Sequence, residues 1–164
     1  MNIPAEERQR DKCDLALEGL RSFGEVRLRA SGVSMLPTLL PGDLLVIRRA
    51  SHDEISGGDI VLYRRNDSLF IHRVLESAPA RLITGGDSMA TPDPEGPIEL
   101  LGKVASVERN GRARTLNPRL GLLSKWTGSL LCHSPRARSL FLRLHRKRDF
   151  PPAEIDSLSA GVLR

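Results

Sequence analysis

Four side chains in this sequence have the types and order needed for chemistry on an acyl carbon. They are Ser34 in SGVSMLP, His72 in FIHRV, and Asp87 and Asp93 in TGGDSMATPD. A serine hydroxyl is protonated at neutral pH and attacks a carbonyl only when a neighbouring base removes its proton. Imidazole can act as that base, and a carboxylate can hold the ring in the productive tautomer. Ser34 follows a strand-like stretch and stands beside Gly32. Pro37, Pro41 and Gly42 then fix the path of the chain, so the hydroxyl sits on a rigid segment.

Simpler readings compete with each of these. Most serines are surface hydroxyls, and a lone strand histidine is more often a hydrogen-bonded structural residue than a catalyst. Other candidate bases are His52, His133 and His145, with Lys103 and Lys125, but none of the three histidines has a supporting constellation. His72 stands in an otherwise apolar run, where a polar ring is costly unless something hydrogen-bonds it. The acidic loop containing Asp87 and Asp93 offers that partner. Met35 reads as packing beside the serine, while Pro37, Thr38, Pro41, Gly42 and Asp43 read as scaffold. Arg73 reads as a solvent-facing strand residue and Asp59 as a turn residue.

The elements that must position these groups follow from periodicity. Cys13, Leu15, Ala16, Leu17 and Leu20 among many charges predict an amphipathic helix from Ala5 to about Phe23, ending near Gly24. Period-2 alternation predicts a strand at 25–30, and short β-like runs predict others at 44–48, 59–65, 68–76, 80–85, 98–109 and 113–117, the earlier ones bounded by the turn formers Pro41-Gly42-Asp43, Gly57-Gly58-Asp59 and Asn66-Asp67. Short, closely spaced strands argue a mainly β domain, bent or barrel-like, with flanking helices, and not a set of βαβ units. The 164 residues, 40% of them apolar, suffice for one such domain with appendages. The expected organisation is an amphipathic helix at 1–24, the β domain at 25–117, a basic helical segment at 118–150 and a flexible tail at 151–164.

Cys13 and Cys132 lie far apart with no CxxC spacing, and no His/Cys cluster suggests a metal. The expectation is two reduced thiols, no cofactor and no metal. Neither a signal-peptide pattern at the start nor a run of about 18 apolar residues is present, so the chain is expected to be cytoplasmic and without a transmembrane segment.

Taken in order, SGVSMLPTLLPGD, GDIVLY, IHRV, TGGDSMATPD and LLGKV resemble the successive boxes of the type I signal peptidase-like S24/S26 serine peptidases, over residues 30 to about 108. The resemblance is closest to the archaeal and endoplasmic-reticulum branch of S26. It implies a signal-peptidase/LexA-like fold and serine endopeptidase activity, with Ser34 as nucleophile. His72 falls where the bacterial branch and the LexA-like repressors have a lysine base and the archaeal branch has histidine. Asp87 resembles the aspartate of the glycine-aspartate box and Asp93 the second family aspartate. Asp93 is favoured as the acid that orients the ring, with Asp87 in support, and the reverse assignment stays open. Backbone N–H groups near Ser34 would receive the oxyanion. Many bacterial signal peptidases place a helper serine two residues before the nucleophile, but Gly32 occupies that position here and Ser31 lies one residue further back. The implied substrate is a peptide or protein precursor, extended along a strand edge with small side chains beside the scissile bond.

Signal peptidases of this type usually carry a membrane anchor, and here a charged helix stands in its place. Either the substrate is soluble, or the basic segment 136–148 makes peripheral contact with anionic membrane; a solvated helix packed by its leucines is the favoured reading of that segment. The net charge of +5 permits such acidic partners without naming one. A second class of function is a weakly catalytic peptidase-fold binding module or a LexA-like self-cleaving regulator. Residues 1–24 supply one short helix, too little for the helix-turn-helix of those repressors. Specific nucleic-acid binding is not expected, since four Phe, one Trp and one Tyr leave little for base stacking.

Overall fold

The computed structural model describes residues 5–79 and 81–116. The expected basic segment at 118–150 and tail at 151–164, and with them Lys125, Cys132, His133 and His145, lie outside the described residues.

Helix α1 spans Ala5–Phe23. Cys13, Ala16, Leu17 and Leu20 recur at helical spacing and are buried, while Leu15 and Phe23 are exposed. The helix stops where Gly24 adopts a φ of 70° and its N–H bonds back to the Leu20 carbonyl, a left-handed cap that a side chain would disfavour.

Seven antiparallel strands follow: β1 Glu25–Arg29, β2 Leu44–Arg49, β3 Ile60–Arg65, β4 Ser68–Ala78, β5 Arg81–Gly85, β6 Glu99–Arg109 and β7 Arg112–Arg114. They form one sheet in the order β1-β2-β6-β3-β4-β5, with β7 paired to β6. The sheet bends but does not close, so of the two expected forms the open one is observed. Register shifts at Val46/Ile47, Leu62/Tyr63 and Val74/Glu76 supply the bends. At Gly102 in β6 an added Cβ would collide with the Arg48 carbonyl of β2, so this crossing requires glycine.

Alternation along the strands gives the sheet two apolar faces. Leu45, Ile47, Ile60, Leu62, Leu101 and Val104 face one side, where Leu17 and Leu20 of α1, with Met35 and Leu39, complete the core. Val61, Tyr63 and Val74 face the other, with Ile55, Phe70, Leu82 and Leu100. Removing such side chains from water stabilises the fold by roughly 1.5–3 kcal/mol each.

The β3–β4 hairpin turns through Asn66 and Asp67, both left-handed with φ of 48° and 58°. Two such residues make the tight turn whose twist matches a hairpin, and they fix Arg65 opposite Ser68 and Val61 opposite His72.

Candidate active site

Ser34 lies in the turn between β1 and β2, directly before the buried Met35 and Leu36 that anchor the turn in the core. Asp43 closes the same segment: its carboxylate accepts the Leu40 N–H at 2.7 Å and pairs with Arg109 at 2.6 Å. The Ser34 carbonyl is held in turn by Ser88, through its N–H at 2.9 Å and its hydroxyl at 3.0 Å. The Ser88 hydroxyl also reaches the Val33 carbonyl, at 2.8 Å. Gly86 permits this contact, since a Cβ there would lie 2.5 Å from the Ser34 carbonyl oxygen.

His72 projects from β4 with its side chain 7% exposed, and its Nε2 lies 3.0 Å from Ser34 Oγ. Its Nδ1 lies 2.7 Å from Asp93 Oδ2. Because the carboxylate can only accept, Nδ1 carries the proton and Nε2 offers its lone pair to the serine hydroxyl. Asp93 is held to β5 twice: its N–H donates to the Thr84 carbonyl at 2.8 Å, and Oδ2 accepts the Thr84 hydroxyl at 2.6 Å. Oδ2 also accepts the Tyr63 hydroxyl at 2.9 Å. Burial pushes the Asp93 carboxyl upward, but the hydrogen bonds from His72, Thr84 and Tyr63, with the His72 charge, override it and hold the pKa at about 2. Burial raises Tyr63 too, and Asp93 adds to that rise, to about 12, so its hydroxyl stays a donor.

Asp87 is on the opposite side. Its side chain is fully buried against Arg73, whose Nε and Nη2 each bond a different carboxylate oxygen at 2.7 Å. The Thr38 hydroxyl donates to the same carboxylate, and Arg73 Nη1 reaches the Gly58 carbonyl at 2.7 Å. Arg73 is therefore not the solvent-facing strand residue that alternation suggested. It is 4% exposed, because β4 is flanked by β3 and β5 and both of its faces are covered at this point.

Among the other candidate bases, Lys103 Nζ pairs with Asp59 at 3.1 Å, and His52 sits in a short 3-10 turn, His52–Glu54. Asp59 keeps its expected turn role, accepting the Ser56 N–H at 2.9 Å. Tyr63, Thr84 and Ser88 were not singled out by sequence, and Thr38 was read only as scaffold. A usable signal existed for Tyr63, since a buried tyrosine in an apolar strand must find a partner for its hydroxyl.

The geometry thus contains a continuous serine–imidazole–carboxylate relay, and residues 1–105 match the model of the family described as Peptidase S24-like. The chain belongs to this family. The match runs from α1 through most of β6 and so includes Ser34, His72 and both aspartates of this S24-like peptidase. No curated protein matches the chain. Membership makes the fold that of a serine-type peptidase, a class whose substrates are protein chains. Among the described residues of the S24-like domain, no helix is long and apolar enough to cross a membrane.

Proposed function

We propose that the chain is a serine endopeptidase of signal-peptidase type in which Ser34 is the nucleophile, His72 the general base and Asp93 the acid that orients the ring. The observation that carries this reading is the unbroken relay from Ser34 Oγ to His72 at 3.0 Å and from His72 to Asp93 at 2.7 Å. His72 Nε2 takes the Ser34 proton as Oγ attacks a peptide carbonyl, and the imidazolium returns it to the leaving amine. Water then hydrolyses the acyl-enzyme with His72 again as base. Backbone N–H groups beside Ser34 stabilise the oxyanion. Asp87 acts through Arg73, bracing β4 from behind.

A histidine base aligns the chain with the archaeal and endoplasmic-reticulum S26 branch. In this reading the substrate is a peptide or protein precursor, met in the cytoplasm or at a membrane surface reached through segment 136–148. Cosedimentation with anionic and with neutral vesicles separates the two, since equal, negligible binding removes the membrane route. The S24-like match favours a second reading, a self-cleaving regulator of LexA type.

Mass spectrometry of purified protein, alone and with a peptide library, tests the assignment against Ser34→Ala and His72→Ala. New termini only in the wild type support it, and their origin in the chain itself or in the library separates the two readings. Identical processing by all three proteins overturns it.

A further inference from the structure

Asp93 Oδ2 is crowded in a way that orienting one imidazole does not require. His72 Nδ1, the Tyr63 hydroxyl and the Thr84 hydroxyl all lie within 2.9 Å of this one oxygen. The donors come from three different strands, β4, β3 and β5, and Asp93 itself lies between Pro92 and Pro94 on the connection to β6.

The Tyr63 ring is fixed independently of its hydroxyl. It is fully buried, stacks on Phe70 at a centroid distance of 5.5 Å and carries the Arg65 guanidinium 5.6 Å from its centre. Its hydroxyl lies 3.5 Å from His72 Nδ1 while donating to the carboxylate, so phenol and imidazole compete for the same acceptor.

We propose that Tyr63 and Thr84 are positioning residues that act on the reaction through Asp93, locating its carboxylate and moderating its hold on the His72 proton. This rests on the reading of Ser34, His72 and Asp93 as the catalytic relay. Each extra donor withdraws charge from Oδ2, so the carboxylate stabilises the imidazolium less and His72 gives up its proton to the leaving amine more readily. The titratable groups in contact with His72 are Asp93 from the loop and Tyr63 from β3, and Arg65 lies over the Tyr63 ring. Arg73 and Asp87 occupy the opposite face and neutralise each other.

The test compares Tyr63→Phe, Thr84→Val and Thr84→Ser in the full chain. Two readouts are used: the imidazole resonances of His72 by NMR across pH, and the pH profile of cleavage. Tyr63→Phe keeps the stacked ring and Thr84→Val keeps the shape. In both, the His72 Nδ1–H resonance moves and the acidic limb of kcat/KM shifts to higher pH. The rate near neutrality falls about tenfold, in kcat and not in KM, as expected for one hydrogen bond to a charged group. Thr84→Ser retains the hydroxyl and restores both readouts.

Resonances and limb that stay in place while only the melting temperature drops mean that these hydroxyls are structural, and the proposal falls. Should Tyr63→Phe not fold, the Thr84 pair decides alone. Absence of any cleavage by wild type counts against the peptidase reading, whereas the NMR titration still decides the clamp.

Discussion

His72 and Arg73 are neighbours on β4, yet they engage different carboxylates on opposite faces of the sheet, Asp93 at 2.7 Å and Asp87 at 2.7 Å. One pleat of the strand separates the proposed base from its support. The two aspartates should therefore fail in different ways.

Asp93→Asn is expected to lower kcat on the order of 1,000-fold or more, because an amide can hold the ring in the wrong tautomer. Asp87→Asn leaves the buried Arg73 with a neutral partner and should lose about 3 kcal/mol or more of stability. Urea unfolding beside cleavage rates checks the split. Equal loss of stability with equal retention of activity in the two variants contradicts it.

Acid should reveal Asp93 directly. Its folded pKa of about 2 lies below its ordinary value of 3.8, so its contribution to stability is fully present above about pH 4 and is lost as pH falls towards 2. Urea midpoints measured through that window should fall more steeply in wild type than in Asp93→Asn. Parallel curves would assign the acid sensitivity to other groups.

Gly86→Ala should damage the site without touching a reacting group. The new Cβ would meet the Ser34 carbonyl oxygen at 2.5 Å and Met89 Cγ at 2.9 Å, so the turn that carries Ser34 must move. A displacement of about 1 Å can lower the rate about 100-fold, and overpacking typically costs about 1–3 kcal/mol. Steady-state kinetics with thermal melting measures both; an unaltered rate would show that the turn accommodates the methyl group.

Gly32→Ser offers the opposite outcome. A Cβ at this position finds Ser34 Oγ as its nearest neighbour at 3.9 Å, and Gly32 is not among the positive-φ glycines. Stability should change by no more than about 0.5 kcal/mol. A hydroxyl placed there can donate to the oxyanion, for which a roughly tenfold gain in kcat is expected. Gly32→Ala is the control and should leave the rate near that of wild type. A serine variant no faster than the alanine control would show that the added hydroxyl does not reach the oxyanion.

Much of the secondary structure was legible because its period is local. Helix α1 and the seven strands fall close to the segments marked by helical spacing, alternation and turn formers, as with the stop at Gly24 and the turn at Asn66-Asp67. The insertion of β6 between β2 and β3 was not legible, since no local pattern encodes that pairing. Within the site, order in the chain pointed to Ser34, His72 and Asp93, and the geometry brings them into contact. Arg73 misled for a physical reason: alternation distinguishes two faces but does not reveal that both are covered. Thr84 and Ser88 gave no signal, because a hydroxyl in a strand or loop looks the same whether it faces solvent or a buried carboxylate.

The Asn66-Asp67 turn has no side chain near the chemistry, yet it sets which residue arrives there. Side chains on a strand alternate, so sliding β4 by one position against β3 would exchange the faces of His72 and Arg73. Guanidinium would then approach the serine, and imidazole would enter the core beside Asp87. Two left-handed residues, five and six positions upstream of the histidine and roughly 17–20 Å away along an extended strand, thus act as the alignment mark for the proposed reaction.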